Sequence, residues 1–289
     1  MGKAVRKLVG MRELLADARR QGYAVGAFNF ANAESAQAVV EQAVALRAPV
    51  ILMTGPWEIP MLGAKLLAQI ARELAAQADV PVCLHLDHAA DLGLVEECIG
   101  AGFPSVMMDA SAHDFEENVR LTRAVVELAH PRGITVEAEL GAVGRVADGL
   151  EGGSAAPSLT DPEQAAEYVA RTGVDALAVA IGNAHGIYPQ CPQLDFDRLG
   201  AVARVVTVPL VLHGGSGTPA DQLARAIALG VGKVNVASEV SRAYIEGFTG
   251  CVAAAQGRTW YAYAMGAGKQ AVGQVAARWM KVLGAEGRA

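Results

Sequence analysis

The feature that most constrains the fold is a repeated alternation of short apolar runs with longer amphipathic segments. The apolar runs consist mainly of β-branched and aliphatic residues, and most are bounded by glycine or proline, which is typical of buried parallel strands. Pro49, Pro81 and Pro209 each stand one residue before such a run, where a proline removes no hydrogen bond from a sheet. We predict strands at Val25–Phe30, Val50–Thr54, Val82–Leu86, Val106–Met108, Thr135–Leu140, Ala176–Ala180, Leu210–Leu212 and Val231–Val236.

The amphipathic segments between the strands predict helices. Several begin with a capping residue followed by proline or an acid, as in Thr160-Asp161-Pro162-Glu163. The predicted helices are Ala33–Leu46, Pro60–Gln77, Ala89–Gly100, Phe115–His130, Pro162–Thr172, Leu194–Val206 and Pro219–Leu229. Eight strand–helix units in 289 residues average about 36 residues each, which is close to the size of one βα unit.

Eight such units close into a (β/α)8 TIM barrel, an α/β fold that usually takes ~250 residues. An open doubly wound sheet fits the same alternation, but it usually carries a GxGxxG turn after its first strand, and Gly26–Asn29 lacks that pattern. Neither a serine- or proline-rich linker nor a break in composition divides the chain. We therefore predict a single domain over residues 1–289, with a mobile loop at about 144–156 and a C-terminal helical segment.

The charge balance and the cysteines exclude some classes of protein. The 24 basic and 30 acidic residues give a net charge of −6, which argues against a dominant role in binding nucleic acid or an anionic membrane. We find no run of 18 apolar residues and expect no membrane span. The 4 cysteines form no CxxC motif, which disfavours a disulfide scaffold and a zinc knuckle and fits a cytoplasmic protein.

Ionisable residues gather at one end of the predicted strands. In TIM-barrel enzymes, the carboxyl ends of the strands form the active-site face. Glu137 and Glu139 stand two residues apart on the fifth strand and therefore share a face. The other polar residues at or just beyond strand ends are Asp87, His88, Asp109, His185, His213 and Asn235. This convergence predicts one functional site at the carboxyl ends of the strands.

Three of these residues, His88, His185 and His213, are histidines from three different strands. A lone histidine in an α/β core is more often a hydrogen-bonded structural residue than a metal ligand. Three imidazoles at strand ends instead favour a divalent metal, zinc above all, with an open coordination position for substrate. His85 is expected to point into the barrel in a packing or supporting role.

Glycine-rich segments follow the last two strands. They are His213-Gly214-Gly215-Ser216-Gly217 and Val234-Asn235-Val236-Ala237-Ser238. Barrels often bind phosphate at this place through backbone N–H groups and a helix N-terminus, although a plain turn has a similar composition. The first segment is not the GxSxG elbow of a serine hydrolase, because Thr218 stands where the last glycine is required.

With these motifs, the chain resembles the class II, metal-dependent ketose-bisphosphate aldolases. The matching segments occur in the family's order between about residues 11 and 245. They are Ala27–Asn29, His85–His88, Ser105–Asp109, Val136–Gly141, Ala180–Gly186, Leu212–Ser216 and Lys233–Ser238. Within the family, the chain is most similar to the branch that contains the tagatose-bisphosphate enzymes. It has no long insertions, and Ala237 within the last segment agrees with that branch.

The resemblance implies a role for each matching position. His88, His185 and His213 would bind the catalytic Zn²⁺. Asp109 and Glu139 would support the metal or serve as alternative ligands. The residues implied to bind the phosphorylated substrate are Asn29, Gly186, Gly214, Gly215, Ser216, Asn235, Val236, Ala237 and Ser238. A monovalent cation, Na⁺ or K⁺, is implied near the phosphate.

The implied catalytic residues are Asp87 and Asn235. Asp87 would donate a proton to the aldehyde in condensation and take one from the C4 hydroxyl in cleavage. Cleaving a bond β to a carbonyl leaves a carbanion, which Zn²⁺ stabilises as a metal-bound enediolate that Asn235 would help to orient. A Schiff-base lysine is not needed for this chemistry, and Lys233, which falls within the last predicted strand, is the only lysine on or close to a predicted strand.

The chain departs from the family pattern at three places. Ala147 stands where the family has a loop glutamate that moves a proton, and Asp148 or Glu151 is a possible substitute. Gly55 stands where a serine or threonine is expected after the second strand. Arg258 is matched to an arginine that the family has near the distal phosphate, although its spacing to the C-terminal helix differs.

We therefore predict a zinc-dependent aldolase, an aldehyde-lyase. It would reversibly cleave a ketose 1,6-bisphosphate, of the tagatose or fructose type, to dihydroxyacetone phosphate and an aldehyde phosphate. Two alternatives stay open: a zinc-containing sugar-phosphate-binding protein that has lost turnover through the change at Ala147, and a related lyase with a different aldehyde product. We expect a phosphorylated sugar as the partner and a homodimer or homotetramer as the assembly.

Overall fold

The computed structural model describes residues 8–146 and 156–289, which form a closed barrel of eight parallel strands. The barrel strands are β1 (Val25–Asn29), β2 (Val50–Thr54), β3 (Val82–Ala89), β4 (Ser105–Met108), β5 (Thr135–Leu140), β7 (Ala176–Val179), β9 (Leu210–Leu212) and β10 (Val231–Val236). Around the barrel they follow the order β1-β10-β9-β7-β5-β4-β3-β2. Two further strands, β6 (Gly144–Arg145) and β8 (Ala184–His185), pair with each other outside the barrel. The predicted TIM barrel is thus confirmed.

Helices connect the barrel strands. They are α1 (Met11–Gln21), α2 (Ala33–Leu46), α3 (Ile59–Leu62), α4 (Ala64–Gln77), α5 (Leu92–Ala101), α6 (Phe115–Ala129), α7 (Pro162–Thr172), α8 (Phe196–Val205), α9 (Ala220–Ala228), α10 (Ser238–Ala254) and α11 (Tyr261–Val282). Side chains of Asn32, Asp91, Asp114, Asp161 and Asp195 cap the N-termini of α2, α5, α6, α7 and α8 by accepting hydrogen bonds from first-turn N–H groups. Each cap satisfies donors that a helix leaves unpaired.

Most predicted bounds differ from the observed ones by at most two residues, and the larger differences have local physical reasons. The predicted helix Pro60–Gln77 is divided into α3 and α4 at Gly63, whose φ of 78° is not compatible with a continuous helix. Strand β3 extends to Ala89, and the next helix starts only after Asp91. The pairing of β3 with β4 shifts between Leu86 and Ala89, so a bulge lies at the carboxyl end of β3.

The apolar side chains form one buried cluster that includes the barrel interior and the inner faces of the helices. Every residue of β2 is buried, as expected of a parallel strand covered on both sides. Complete burial of each such aliphatic side chain contributes about 1.5–3 kcal/mol relative to leaving it exposed.

Helix α1 covers the amino-terminal end of the barrel. Met11 and Leu15 are fully buried there, and the N–H of Val9 donates to the carbonyl of Val82 at the start of β3 (3.0 Å). At the C-terminus, α11 packs along α10 and α2. Among the described residues, no helix has the length and apolar character needed to cross a membrane. Because α1 covers the opposite end, the carboxyl ends of the strands are the face available for a site.

Candidate active site

Three histidines meet at the carboxyl ends of the strands. His88 lies near the end of β3, His185 ends β8, and His213 directly follows β9. The ring centroid of His88 is 4.8 Å from that of His185 and 4.5 Å from that of His213. The centroids of His185 and His213 are 5.8 Å apart. Residues far apart in the sequence therefore share one centre, as their positions at strand ends predicted.

The β3 bulge orients His88. The residue has a φ of 49°, in the left-handed region that L residues seldom adopt. Its Nδ1 is 2.7 Å from Asp109 Oδ2, and Asp109 in turn accepts hydrogen bonds from the N–H and hydroxyl of Ser111. The opposite ring nitrogen, Nε2, is buried and has no hydrogen-bond partner among the described residues. Such a histidine, with one nitrogen on a carboxylate and the other open, has the arrangement of many metal ligands.

The outer strand pair positions His185. Its backbone carbonyl accepts a hydrogen bond from the N–H of Val146 (2.9 Å), and Arg145 is its partner in the β6–β8 register. The neighbouring Asn183 donates from Nδ2 to the carbonyl of His213 (3.0 Å). The loops that carry the two histidines are thereby fixed to each other.

His213 contacts a carboxylate at each ring nitrogen. Its Nδ1 is 2.8 Å from Glu139 Oε2, and its Nε2 is 2.9 Å from Glu137 Oε1. Burial opposes protonation of the ring, and so does the charge of His88, but the two glutamates outweigh them and raise the pKa of His213. Glu137 thus contacts Nε2, while Nδ1 contacts Glu139, which belongs with the three histidines to one group of possible metal ligands.

Beneath the histidines lies a lower layer formed by His85, Glu137 and Lys233. Lys233 belongs to β10 and is fully buried, with Nζ 2.8 Å from Glu137 Oε2. Burial alone would raise the pKa of Glu137, but the Lys233 ammonium holds it well below its usual range. Burial, aided by Lys233, lowers the pKa of His85 to about 3, and His85 Nδ1 is 2.8 Å from Ser105 Oγ. The packing role expected for His85 agrees with these contacts.

The histidine cluster, His88, Glu139, His185 and His213, fits a metal ion. One possible ligand atom from each residue lies within 4.8 Å of all the others. Burial disfavours charge on His88, but Asp87 and Asp109 raise its pKa to about 10, so the site accommodates a cation. Imidazole and carboxylate donors with an open position are typical of catalytic zinc.

Asp87 is buried beside this cluster. Its Oδ1 accepts a hydrogen bond from Asn235 Nδ2 (3.0 Å), and its Oδ2 is 3.9 Å from His88 Nε2. Burial opposes ionisation of Asp87, but the positive charges of His88 and Lys233 outweigh it and lower the pKa of the carboxyl. The two residues predicted to be catalytic are therefore in direct contact.

The predicted phosphate-binding segments are close to each other. The N–H of Gly215 donates to the carbonyl of Asn235 (2.9 Å), and Ser216 Oγ accepts from the N–H of Glu239 (3.2 Å). A Cβ on Gly214 would lie 2.0 Å from the carbonyl oxygen of Ala184, so only glycine fits there. Val236, Ala237 and Ser238 lead into α10, whose N-cap residue, Ala237, has no capping side chain of its own. Gly186, at a φ of 108°, follows the β8 histidine.

Asn29 and Glu58 line the opposite side of the site. Asn29, predicted to bind substrate, donates from Nδ2 to Glu58 Oε1 (3.2 Å). Glu58 was not identified from the sequence, since it lies in the loop beyond β2, where only Gly55 attracted notice. A general search for carboxylates in loops after barrel strands would have found it.

The remaining predicted positions are three residues of the loop after β6 and Arg258. Ala147, Asp148 and Glu151 lie outside the described residues, together with most of the loop predicted at 144–156. Arg258 is exposed in the turn between α10 and α11.

The fold and the site are those of a barrel enzyme with a candidate metal-binding centre at the carboxyl ends of its strands. Residues 9–288 match the model of the class-II fructose-bisphosphate aldolase family, and the chain belongs to that family. It is therefore an aldolase, an aldehyde-lyase of the metal-dependent class, as the sequence predicted.

Named relatives agree with this assignment. Over 237 residues, 82% of this chain and 84% of the relative, the chain is 47% identical to the D-tagatose-1,6-bisphosphate aldolase subunit GatY of Klebsiella oxytoca. The crystal structure of the YdjI aldolase from Escherichia coli K12 has a TM-score of 0.85 at 36% identity, covering 98% of this chain and 99% of that chain. The fructose-bisphosphate aldolase of Campylobacter jejuni, 22% identical, has a TM-score of 0.84 over 98% of this chain and 97% of that chain, a likeness of fold alone.

Proposed function

We propose that the chain is a zinc-dependent aldolase that reversibly cleaves a ketose 1,6-bisphosphate of the tagatose or fructose type. The products are dihydroxyacetone phosphate and an aldehyde phosphate. The observation that carries the proposal is the meeting of His88, His185 and His213 around one centre, with the carboxylate of Asp87 next to it. The identity to a tagatose-bisphosphate aldolase subunit supports the choice of substrate.

His88, His185 and His213 would bind the zinc, and Glu139 lies close enough to serve as a further ligand. When bound, the metal polarises the substrate's carbonyl and hydroxyl oxygens and stabilises the negative charge that C–C cleavage leaves behind. Asp109 and Glu137 fix the orientation of the His88 and His213 rings by accepting hydrogen bonds from their outer nitrogens.

Asp87 moves the proton. In cleavage, it takes the proton of the C4 hydroxyl, and in condensation it returns that proton to the aldehyde oxygen. Because Asn235 occupies Oδ1, the other carboxylate oxygen is oriented towards the histidines, where the reacting hydroxyl would bind. Burial keeps competing water from this carboxylate.

The phosphate of the dihydroxyacetone half would bind at Gly186, Gly214 to Ser216 and Asn235 to Ser238. The N-terminus of α10 directs the positive end of the dipole of a 17-residue helix at this phosphate. We place the Na⁺ or K⁺ ion beside this phosphate. A homodimer or homotetramer agrees with the exposed aromatic residues Trp260, Tyr261 and Tyr263. The cytoplasmic location stays a prediction from the sequence.

A cleavage assay with tagatose and fructose bisphosphates tests the function, with metal content measured on the same sample. We expect cleavage to stop after treatment with a chelator and to return when Zn²⁺ is added. Cleavage that survives complete removal of metal would contradict the proposal.

A further inference from the structure

Glu58 and Asn29 form a polar corner at the carboxyl ends of β1 and β2. Glu58 Oε2 accepts a hydrogen bond from the N–H of Gly55 (2.8 Å), and Oε1 accepts one from Asn29 Nδ2 (3.2 Å). A carboxylate only accepts hydrogen bonds, so the amide nitrogen of Asn29 must face it. This contact turns the amide oxygen, Oδ1, away from Glu58.

The corner has more acceptors than donors. Asn29 Oδ1 is buried without a hydrogen-bond partner among the described residues. A carboxylate has about four lone-pair sites, so the Glu58 oxygens retain capacity beyond the donors they already receive. A buried acceptor without a donor is unfavourable. The complementary ligand group is therefore a hydrogen-bond donor.

A cavity of about 150 Å³ opens at this corner, lined among others by Asn29, Glu58, Ser241 and Tyr244. Glu58 is the only charged side chain among the described residues that line it. A phosphate group offers negative charge and acceptor oxygens, and this carboxylate would repel it. Hydroxyl groups match both the charge and the missing donors.

The corner adjoins the proton-transfer group. A Cβ placed on Gly55 would lie 3.0 Å from the backbone oxygen of Asp87 and 3.6 Å from Glu58 Oε2. Burial raises the pKa of Glu58, and the charge of Asp87 adds to this rise. The corner and Asp87 therefore lie side by side at the carboxyl ends of the adjacent strands β2 and β3.

We propose that Glu58 is a specificity-determining residue that, with Asn29, accepts hydrogen bonds from the hydroxyl groups of the aldehyde half of the substrate. The distal phosphate then binds outside this corner. This inference rests on the aldolase function proposed above, since it assigns one end of the same site.

The test compares two aldehydes in condensation with dihydroxyacetone phosphate. One is D-glyceraldehyde 3-phosphate, and the other is 3-phosphooxypropanal, which lacks only the hydroxyl at C2. We expect the wild-type enzyme to have at least a tenfold higher kcat/KM for the hydroxylated aldehyde. In Glu58→Ala the ratio of the two kcat/KM values falls to within about threefold of unity, because the carboxylate that accepts the hydrogen bond from the hydroxyl has been removed.

Two further variants control the comparison. Glu58→Gln keeps one acceptor oxygen, and its ratio should lie between those of the wild type and Glu58→Ala. Glu96→Ala removes an exposed glutamate on α5 and should keep the wild-type ratio. If thermal unfolding shows that Glu58→Ala does not fold, the wild-type ratio and Glu58→Gln carry the test.

Proton exchange on dihydroxyacetone phosphate, which needs no aldehyde, separates the two proposals. Metal-dependent exchange by the wild type with equal kcat/KM for both aldehydes overturns the role of Glu58 and leaves the aldolase function standing. A wild-type ratio that persists in Glu58→Ala also overturns it. Absence of both exchange and condensation contradicts the aldolase function and this inference with it.

Discussion

Two clusters of ionisable residues in the described part of the barrel lie one above the other and differ in how their charge is compensated. In the lower layer, the Lys233 ammonium contacts both oxygens of Glu137, at 3.0 and 2.8 Å. In the histidine cluster above it, His88 Nε2 is buried without a partner among the described residues. The same residue types thus form an internally neutralised layer in one place and an open donor set in the other.

This difference in charge compensation indicates which cluster can bind a metal ion. His85, Asp87 and Glu137 also have possible ligand atoms within 4.8 Å of one another, so proximity alone does not distinguish the clusters. Glu137 already has a lysine as its counter-ion, and a divalent cation beside that lysine would be repelled. Around the histidine cluster, here the upper of the two, lie the carboxylates Asp87, Asp109 and Glu139, which favour positive charge on His88. We expect metal only there.

The largest contrast should come from His185→Ala, which removes a ligand from the upper cluster. We expect kcat/KM for cleavage to fall about 1000-fold or more, equivalent to about 4 kcal/mol, together with loss of bound zinc. His113→Ala, at an exposed position, should keep both. Full activity with normal zinc content in His185→Ala would remove the upper cluster from the mechanism.

Lys233→Met tests the lower layer. It leaves Glu137 as an uncompensated buried carboxylate, which should destabilise the metal-free protein by about 3–5 kcal/mol in urea denaturation. Adding Glu137→Leu in the same chain should recover much of this loss, because the buried carboxylate that lost its lysine is removed as well. A Lys233→Met protein as stable as the wild type would show that the layer is not held by this pair.

The barrel and the meeting of the histidines were predictable because both depend on periodicity and on strand ends. The bulge that gives His88 its φ of 49° was not, since it arises from the pairing of β3 with β4. Lys233 was noted only as lying close to a strand, because a buried lysine becomes credible only when its partner, here Glu137, is known. Glu58 was missed for the same reason: its proposed role depends on Asn29, which lies at the end of the neighbouring strand β1.

A smaller effect should appear in the pH dependence of metal binding. Asp87 and Asp109, working against burial, raise the pKa of His88 to about 10 in the metal-free site. Below that pH the imidazole carries a proton that must leave before it can bind a metal, so affinity falls as pH falls, by about tenfold per pH unit for each proton released. Calorimetry of Zn²⁺ binding between pH 6.5 and 7.5, in buffers of different ionisation enthalpy, measures this release. Affinity independent of pH would contradict the protonated state of His88.

The most direct measurement is an anomalous difference map from crystals of the zinc-loaded protein, recorded on both sides of the zinc absorption edge. We expect one peak per chain, within bonding distance of His88, His185 and His213, and no peak beside Glu137 and Lys233. A peak in the lower layer, or none in crystals whose protein cleaves substrate, would show that the open histidine cluster is not the metal centre.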